Sequence, residues 1–259
     1  MMNISNSTRL LGHRGARDYA LENTMLGFQQ AQRLQSAGLN GVEFDVQLSA
    51  DGRLIVFHDD TLERLCGMQS CVDQLSLIEI QRHLQSGHEI LTLDRLATTL
   101  VGFDTIELEV KTHNRTQYSK LIQALIHELI DSPLSHLPIA LTSFDVHLHA
   151  QLNRTRAFQS IPRGLLVRTP ELLAAAPNTA LQLGCRQLGV YYPLLTQKII
   201  KNCHRYGLPV SAWTVNDDQE ITQLINWGVD AIITDLPTQI LIRLTFRQIG
   251  FYLNTPYHR

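Results

Sequence analysis

Glu43 and Asp45 stand two apart in the apolar run GVEFDV (41–46), and Glu109 stands in a second such run, IELEVK (106–111). On a strand, residues two apart point to the same face. A buried carboxylate without a partner costs several kcal/mol, roughly, so a face of acids needs cations or a metal. An all-oxygen set suits a hard divalent cation, Mg²⁺ or Ca²⁺. Salt bridges from Glu43 or Asp45 to Arg14 or Lys111 are the alternative, and spacing alone leaves both open. His13, in GHRG (12–15), and His58, in VFHDD (56–60), add two imidazoles. Imidazole titrates near neutrality, so one can take a proton while the other gives one. Arg grips phosphate as a fork and Lys as a point charge, which gives Arg14 and Lys111 a use beside them. Such a set describes metal-assisted chemistry on a phosphate ester.

Those residues must be brought together by the elements that carry them. Strand-length apolar runs fall at 9–12, 42–48, 105–110, 138–143, 164–168, 187–191, 209–215 and 230–234. Helical patterns lie between them at 23–37, 117–130, 196–206 and 218–227, with Gly38, Gly207 and Gly228 where helices should stop. Apolar strands alternating with helices predict a parallel sheet covered by helices. About 250 residues and eight strands predict a (β/α)8 TIM barrel, whose chemistry belongs at the C-terminal ends of the strands. The polar residues gather at those ends. One irregularity follows the second strand. A turn at Asp51-Gly52 leads into RLIVFH (53–58), which reads as an adjoining strand, and a longer excursion runs on before the third barrel strand. The expectation is a single domain, 1–259, with a small insertion after the second strand at about 61–99.

Composition narrows the class. Hydrophobic residues make up 44 % of the 259 and charged residues 18 %, an ordinary globular balance, and the net charge of −2 excludes a basic nucleic-acid footprint. Cys66, Cys71, Cys185 and Cys203 form no metal-like spacing and read as reduced thiols. The opening residues lack the apolar run of an export signal, and no stretch is apolar enough to cross a membrane, so the expected compartment is cytoplasmic. The apolar stretch at 239–253 reads as a last helix packed on the core. The remaining nine histidines, among them His83, His88, His113, His127, His147 and His149, read as surface or packing residues. No P-loop, no GxGxxG after a strand and no GxSxG is present, so nucleotide-binding folds and the commonest serine hydrolases are not supported.

The ordered motifs resemble the glycerophosphodiester phosphodiesterases. They are HRG (13–15), ENT (22–24), VEFDVQLSADGRLIVFHDDTLER (42–64), TLDRL (92–96), IELEVK (106–111), SF (143–144), WTVN (213–216) and GVDAIITDLP (228–237). The chain departs from the family at Leu21, where Pro is usual, and at Leu65-Cys66-Gly67, where Thr-Thr and a Gly are usual. The resemblance implies a barrel with a small insertion after its second strand. It also implies His13 and His58 as the acid–base pair, Arg14 and Lys111 as phosphate ligands, and Trp213 as the pocket wall against the glycerol or alcohol. Glu43, Asp45 and Glu109 become ligands of Mg²⁺ or Ca²⁺, with Glu107 an extra acid on the same face. The implied reaction is metal-dependent hydrolysis of a glycerophosphodiester to sn-glycerol 3-phosphate and an alcohol. The expected partner is that small molecule, with no nucleic acid and no stable membrane insertion, in a monomer or homodimer. The alternatives are a lysophospholipase D-like or sphingomyelinase D-like enzyme acting on lipids, and a phosphate-binding barrel without catalysis.

Overall fold

Each of the eight apolar runs forms a strand, and the strands close on themselves. The computed structural model describes residues 8–84 and 88–243. In chain order the strands are β1 (Arg9–His13), β2 (Gly41–Leu48), β3 (Leu54–Val56), β4 (Thr61–Leu62), β5 (Met68–Cys71), β6 (Leu91–Thr92), β7 (Thr105–Val110) and β8 (Ile139–Ser143). They continue with β9 (Arg163–Val167), β10 (Gln187–Tyr191), β11 (Val210–Trp213) and β12 (Ala231–Thr234). Eight of them run parallel in the order β1-β12-β11-β10-β9-β8-β7-β2, and β1 also pairs with β2. That last pairing makes the sheet a barrel, the (β/α)8 architecture expected from the sequence.

Alternation along the strands sorts side chains into two interiors. Val42, Phe44 and Val46 of β2 face outward into the main apolar cluster, which they share with Phe28, Leu121, Leu125, Ile200 and Leu224 of the surrounding helices. Phe28 meets Phe44 edge to face at 5.2 Å. Inside the barrel, Leu11, Ala231 and Ile233 pack beneath Trp213. Beside them lies Glu107, whose carboxylate takes a hydrogen bond from the Ser211 hydroxyl at 3.3 Å. Burial raises the Glu107 carboxyl to about 7.

The helices begin where side chains cap them. Thr24, Asp145, Thr196 and Asp217 each accept backbone N–H bonds at a helix start. Gly38, Gly207 and Gly228 take the left-handed conformation past helix ends, as the sequence suggested. Residues 237–243 are helical. The remainder of the expected last helix, from 244 onward, lies outside the described residues. Among those described, no helix is long and apolar enough to cross a membrane.

The run 53–58 departs from expectation. Only β3 is strand, antiparallel to β2 with Val56 opposite Val46, and β6 pairs on its far side. Phe57 N–H still donates to the Asp45 carbonyl of β2 at 3.1 Å, and past that bond the partner is a side chain: Gln47 Nε2 donates to the carbonyls of Phe57 and Asp59. Beyond β3 the chain forms the small β4–β5 hairpin and a second apolar cluster of Ile55, Phe57, Leu62, Val72, Ile80 and Ile90.

Close approach fixes one residue type in the barrel wall. A Cβ on Gly41 would sit 2.0 Å from the Thr105 carbonyl oxygen of β7. Gly41→Ala must therefore push β2 and β7 apart, at a cost of about 1–3 kcal/mol. Denaturant unfolding should show this as a lower midpoint with an unchanged slope.

Candidate active site

The C-terminal ends of β1, β2 and β7 bring the carboxylates together. Register places His13 beside Glu43, Glu43 beside Glu107, and Asp45 beside Glu109, so these side chains share the inward face. Ligand oxygens of Glu43, Asp45 and Glu109 all lie within 4.8 Å of one another. Glu43 and Asp45 are 6 % and 1 % exposed, too buried for water to screen their repulsion.

The charges are only partly matched. Lys111 Nζ lies 2.9 Å from Asp45 Oδ1 and 2.7 Å from Glu109 Oε1. Arg14 Nε lies 3.1 Å from Asp45 Oδ2, and its Nη1 is 2.9 Å from Glu22 Oε1. Asp45 consequently lies well below the usual carboxylate range: burial opposes the shift, but Lys111 and Arg14 outweigh it. Glu43 has no such support. Its Oε2 has no hydrogen-bond partner, and the His13 Nε2 edge lies 3.6 Å from it. Burial, then the charges of Asp45 and Glu109, push the Glu43 carboxyl well up. Burial and Asp45 likewise raise Glu109 to about 7.

Of the two possibilities left open by spacing, the salt bridges are present, and the three acids form a group that could hold a metal ion. Salt bridges engage Asp45 and Glu109, while a buried carboxylate oxygen of Glu43 is left over. Three oxygen donors with surplus negative charge are what a hard divalent cation takes. A second acidic group, Asp60 and Asp73 with Cys71, differs in this respect. Arg115 pairs with Asp60 and holds Asp73 at 3.1 Å, so its carboxylates are already matched.

Each imidazole is held by a carboxylate on the same edge. His13 Nδ1 donates to Asp235 Oδ1 at 2.6 Å, and His58 Nδ1 to Asp59 Oδ1 at 2.7 Å. A carboxylate only accepts, so each Nδ1 carries the proton and each Nε2 is the edge free for exchange. Burial lowers both histidines, against the pull of Asp235 on His13 and of Asp45 on His58. Asp235 is itself fixed by Asn216 Nδ2 at 2.9 Å and by Arg17. Asp59 is fixed by Arg64 Nε at 2.6 Å.

The loop after β1 shapes this rim. Arg14 (φ 54°), Gly15 (φ 89°) and Asn23 (φ 57°) all lie in the left-handed region. Gly15 accepts that conformation freely; for Arg14 the backbone is held by a 2.6 Å bond from its N–H to the Glu43 carbonyl. Glu22, which is nearly buried, gathers Arg14, Arg17 (3.2 Å) and Arg64 (2.6 Å).

Across the mouth, Trp213 is half-buried at the end of β11. It meets Phe144 edge to face at 5.6 Å and Tyr191 at 5.6 Å, and Arg168 lies 5.1 Å over the Phe144 ring. His13, Arg14, Glu43, Asp45, His58, Glu109, Lys111 and Trp213 therefore stand toward one end of the barrel, while Glu107 is buried deeper inside it against Ser211. Sequence reasoning missed Glu22, Asp59, Arg64 and Asp235. All four lie inside the quoted motifs, and Asp59 directly follows His58. It also left His113 and His204 without partners, whereas His113 Nε2 meets Gln47 Oε1 at 3.2 Å and His204 Nε2 meets Asp230 Oδ2 at 2.7 Å.

A family model described as the glycerophosphoryl diester phosphodiesterase family matches residues 13–239. A glycerophosphodiester phosphodiesterase of Caldanaerobacter subterraneus is 28 % identical over 244 residues, covering 90 % of this chain and 96 % of that one. An Oleispira antarctica phosphodiesterase, solved in complex with the product sn-glycerol-3-phosphate, superposes with a TM-score of 0.80 at 25 % identity, covering 93 % and 98 % of the two chains. A putative glycerophosphoryl diester phosphodiesterase from Silicibacter pomeroyi shares the fold with a TM-score of 0.78 at 24 % identity, covering 92 % and 95 %.

The carboxylate cluster predicts a pH signature. A carboxyl raised in the folded state binds its proton more tightly there than in the unfolded chain. Its contribution is present below the unfolded value near 4.5 and is lost as pH rises through the raised value. In chelator, Glu43→Gln should therefore unfold at a higher temperature than the parent at pH 7, with little difference at pH 4. Thermal scans at both values check this.

Proposed function

The chain belongs to the glycerophosphoryl diester phosphodiesterase family and is a glycerophosphodiester phosphodiesterase, and on that premise we propose a metal-assisted, two-histidine hydrolysis at the barrel mouth. The products are sn-glycerol 3-phosphate and an alcohol; the product held by the Oleispira antarctica relative supports the first of these. The observation that carries the proposal is the unmatched, buried Glu43 carboxylate beside two carboxylates and two oriented imidazoles.

Glu43, Asp45 and Glu109 would hold the divalent cation, Mg²⁺ or Ca²⁺. Bound there, it supplies Lewis-acid neutralisation of the phosphoryl oxygens. Arg14 and Lys111, beside the same carboxylates, would offset the negative charge of the phosphate. One imidazole takes the proton of the glycerol 2-hydroxyl through its Nε2. That oxygen attacks phosphorus, the bond to the alcohol breaks, and the other imidazole protonates the departing oxygen. Water then opens the cyclic phosphate with the histidines in exchanged roles. Asp235 and Asp59 keep each Nδ1 protonated and each ring turned inward. Trp213, with Phe144 and Tyr191, forms the apolar wall against the glycerol.

We also read 1–259 as one catalytic domain with its insertion at 61–99. The free thiols suit a reducing, cytoplasmic setting. The partner is a small soluble diester.

Each acid–base contribution is typically about 10²–10⁴-fold, so His13→Ala and His58→Ala should each lower kcat by that order while the far-UV spectrum is retained. Near-parental kcat in both variants sinks the mechanism. Assay of a glycerophosphodiester panel in chelator should give no turnover, with Mg²⁺ or Ca²⁺ restoring it in the parent and not in Glu43→Gln. Full turnover in chelator overturns the metal role.

A further inference from the structure

His58 lies past the end of β3, where no ladder holds its peptide. A single side chain takes that place. Gln47 follows Glu43 and Asp45 on the inward row of β2 and is 1 % exposed. Its Nε2 donates to the carbonyl of Phe57 at 3.0 Å and to that of Asp59 at 2.8 Å, the two residues flanking His58. Its Oε1 faces His113 Nε2 at 3.2 Å. The direction of this chain is forced. Two backbone carbonyls can only accept, so the amide NH₂ must face them, and its oxygen must then accept from His113.

Other contacts hold the segment's ends. Phe57 N–H donates to the Asp45 carbonyl at 3.1 Å, and Val72 N–H donates to the Asp60 carbonyl at 2.9 Å. Among the described residues, only Gln47 bonds from the catalytic strand to the carbonyls of both residues flanking His58. We infer that Gln47 is a positioning residue for His58, and that His113 keeps its amide turned to serve. The inference rests on the acid–base role given to His58. It adds that the row Glu43, Asp45, Gln47 sets both the metal ligands and the position of one proton-transfer group.

The test measures kcat and KM on glycerophosphocholine for Gln47→Met, His58→Ala and the double variant, with thermal scans of each. A misplacement of about 1 Å can cost on the order of 10²-fold. Gln47→Met should lower kcat by about 10- to 100-fold with KM within about threefold. In the His58→Ala background the same change should alter kcat by less than about twofold, because residues acting as a unit are not additive. A rise in KM at unchanged kcat, or a full loss that persists without His58, overturns the inference. Should Gln47→Met not fold, His113 carries the same comparison: His113→Leu should lower kcat and His113→Gln, which keeps a donor, should restore most of it. Equal effects of the two overturn it. Full activity of His58→Ala instead fails the mechanism itself, and is read separately from the Gln47 factor.

Discussion

Three carboxylates share a space where water cannot screen them, and the architecture of the mouth follows from that repulsion. Glu43, Asp45 and Glu109 come from two adjacent strands whose register sets Asp45 level with Glu109 and Glu43 two residues before it on the same face. Arg14 and Lys111 lie on either side of Asp45, the most buried of the three. They hold it ionised, yet leave Glu43 raised and unpartnered. A protein selected only for stability would have no use for such an arrangement, since removing one charge relieves it. The imbalance is intelligible as a site kept short of one positive ion.

Around this centre the other charges form a second tier that orients rather than reacts. Glu22 gathers three arginines, one of which reaches Asp235 and another Asp59. Those two acids hold His13 and His58. The imidazoles are thus fixed through one continuous web of ion pairs running round the rim, with Glu22 as its hub. A lone surface ion pair contributes little, but a network with buried members holds geometry well.

The fold was legible because parallel strands, covered on both faces, write themselves as apolar runs. The eight barrel strands fall within a few residues of the runs read from the sequence. The one misjudged run, 53–58, shows the limit. RLIVFH has the composition of a strand to its end, but the strand ends at Val56, and after the bond from Phe57 N–H to the Asp45 carbonyl a side chain from β2 takes the carbonyl acceptors. The acids, imidazoles and cations of the site were legible by residue type and motif. Their orienting partners were not, since His13 and Asp235 are 222 residues apart and nothing local marks the pair. Gln47 illustrates the same gap: an amide in a strand carries no chemical signature until its acceptors are known.

Phe57 belongs to the small apolar cluster of the excursion, not to the main core, and it immediately precedes His58. The excursion therefore does more than decorate the barrel. A cluster of six buried side chains is a weaker cooperative unit than the barrel's own core, and such units open at lower free energy than the whole molecule. When this one opens, the histidine it leads into loses its place while the barrel stays intact. With His58 in its proposed role, catalytic competence and global foldedness would be separable, the smaller core opening before the barrel does.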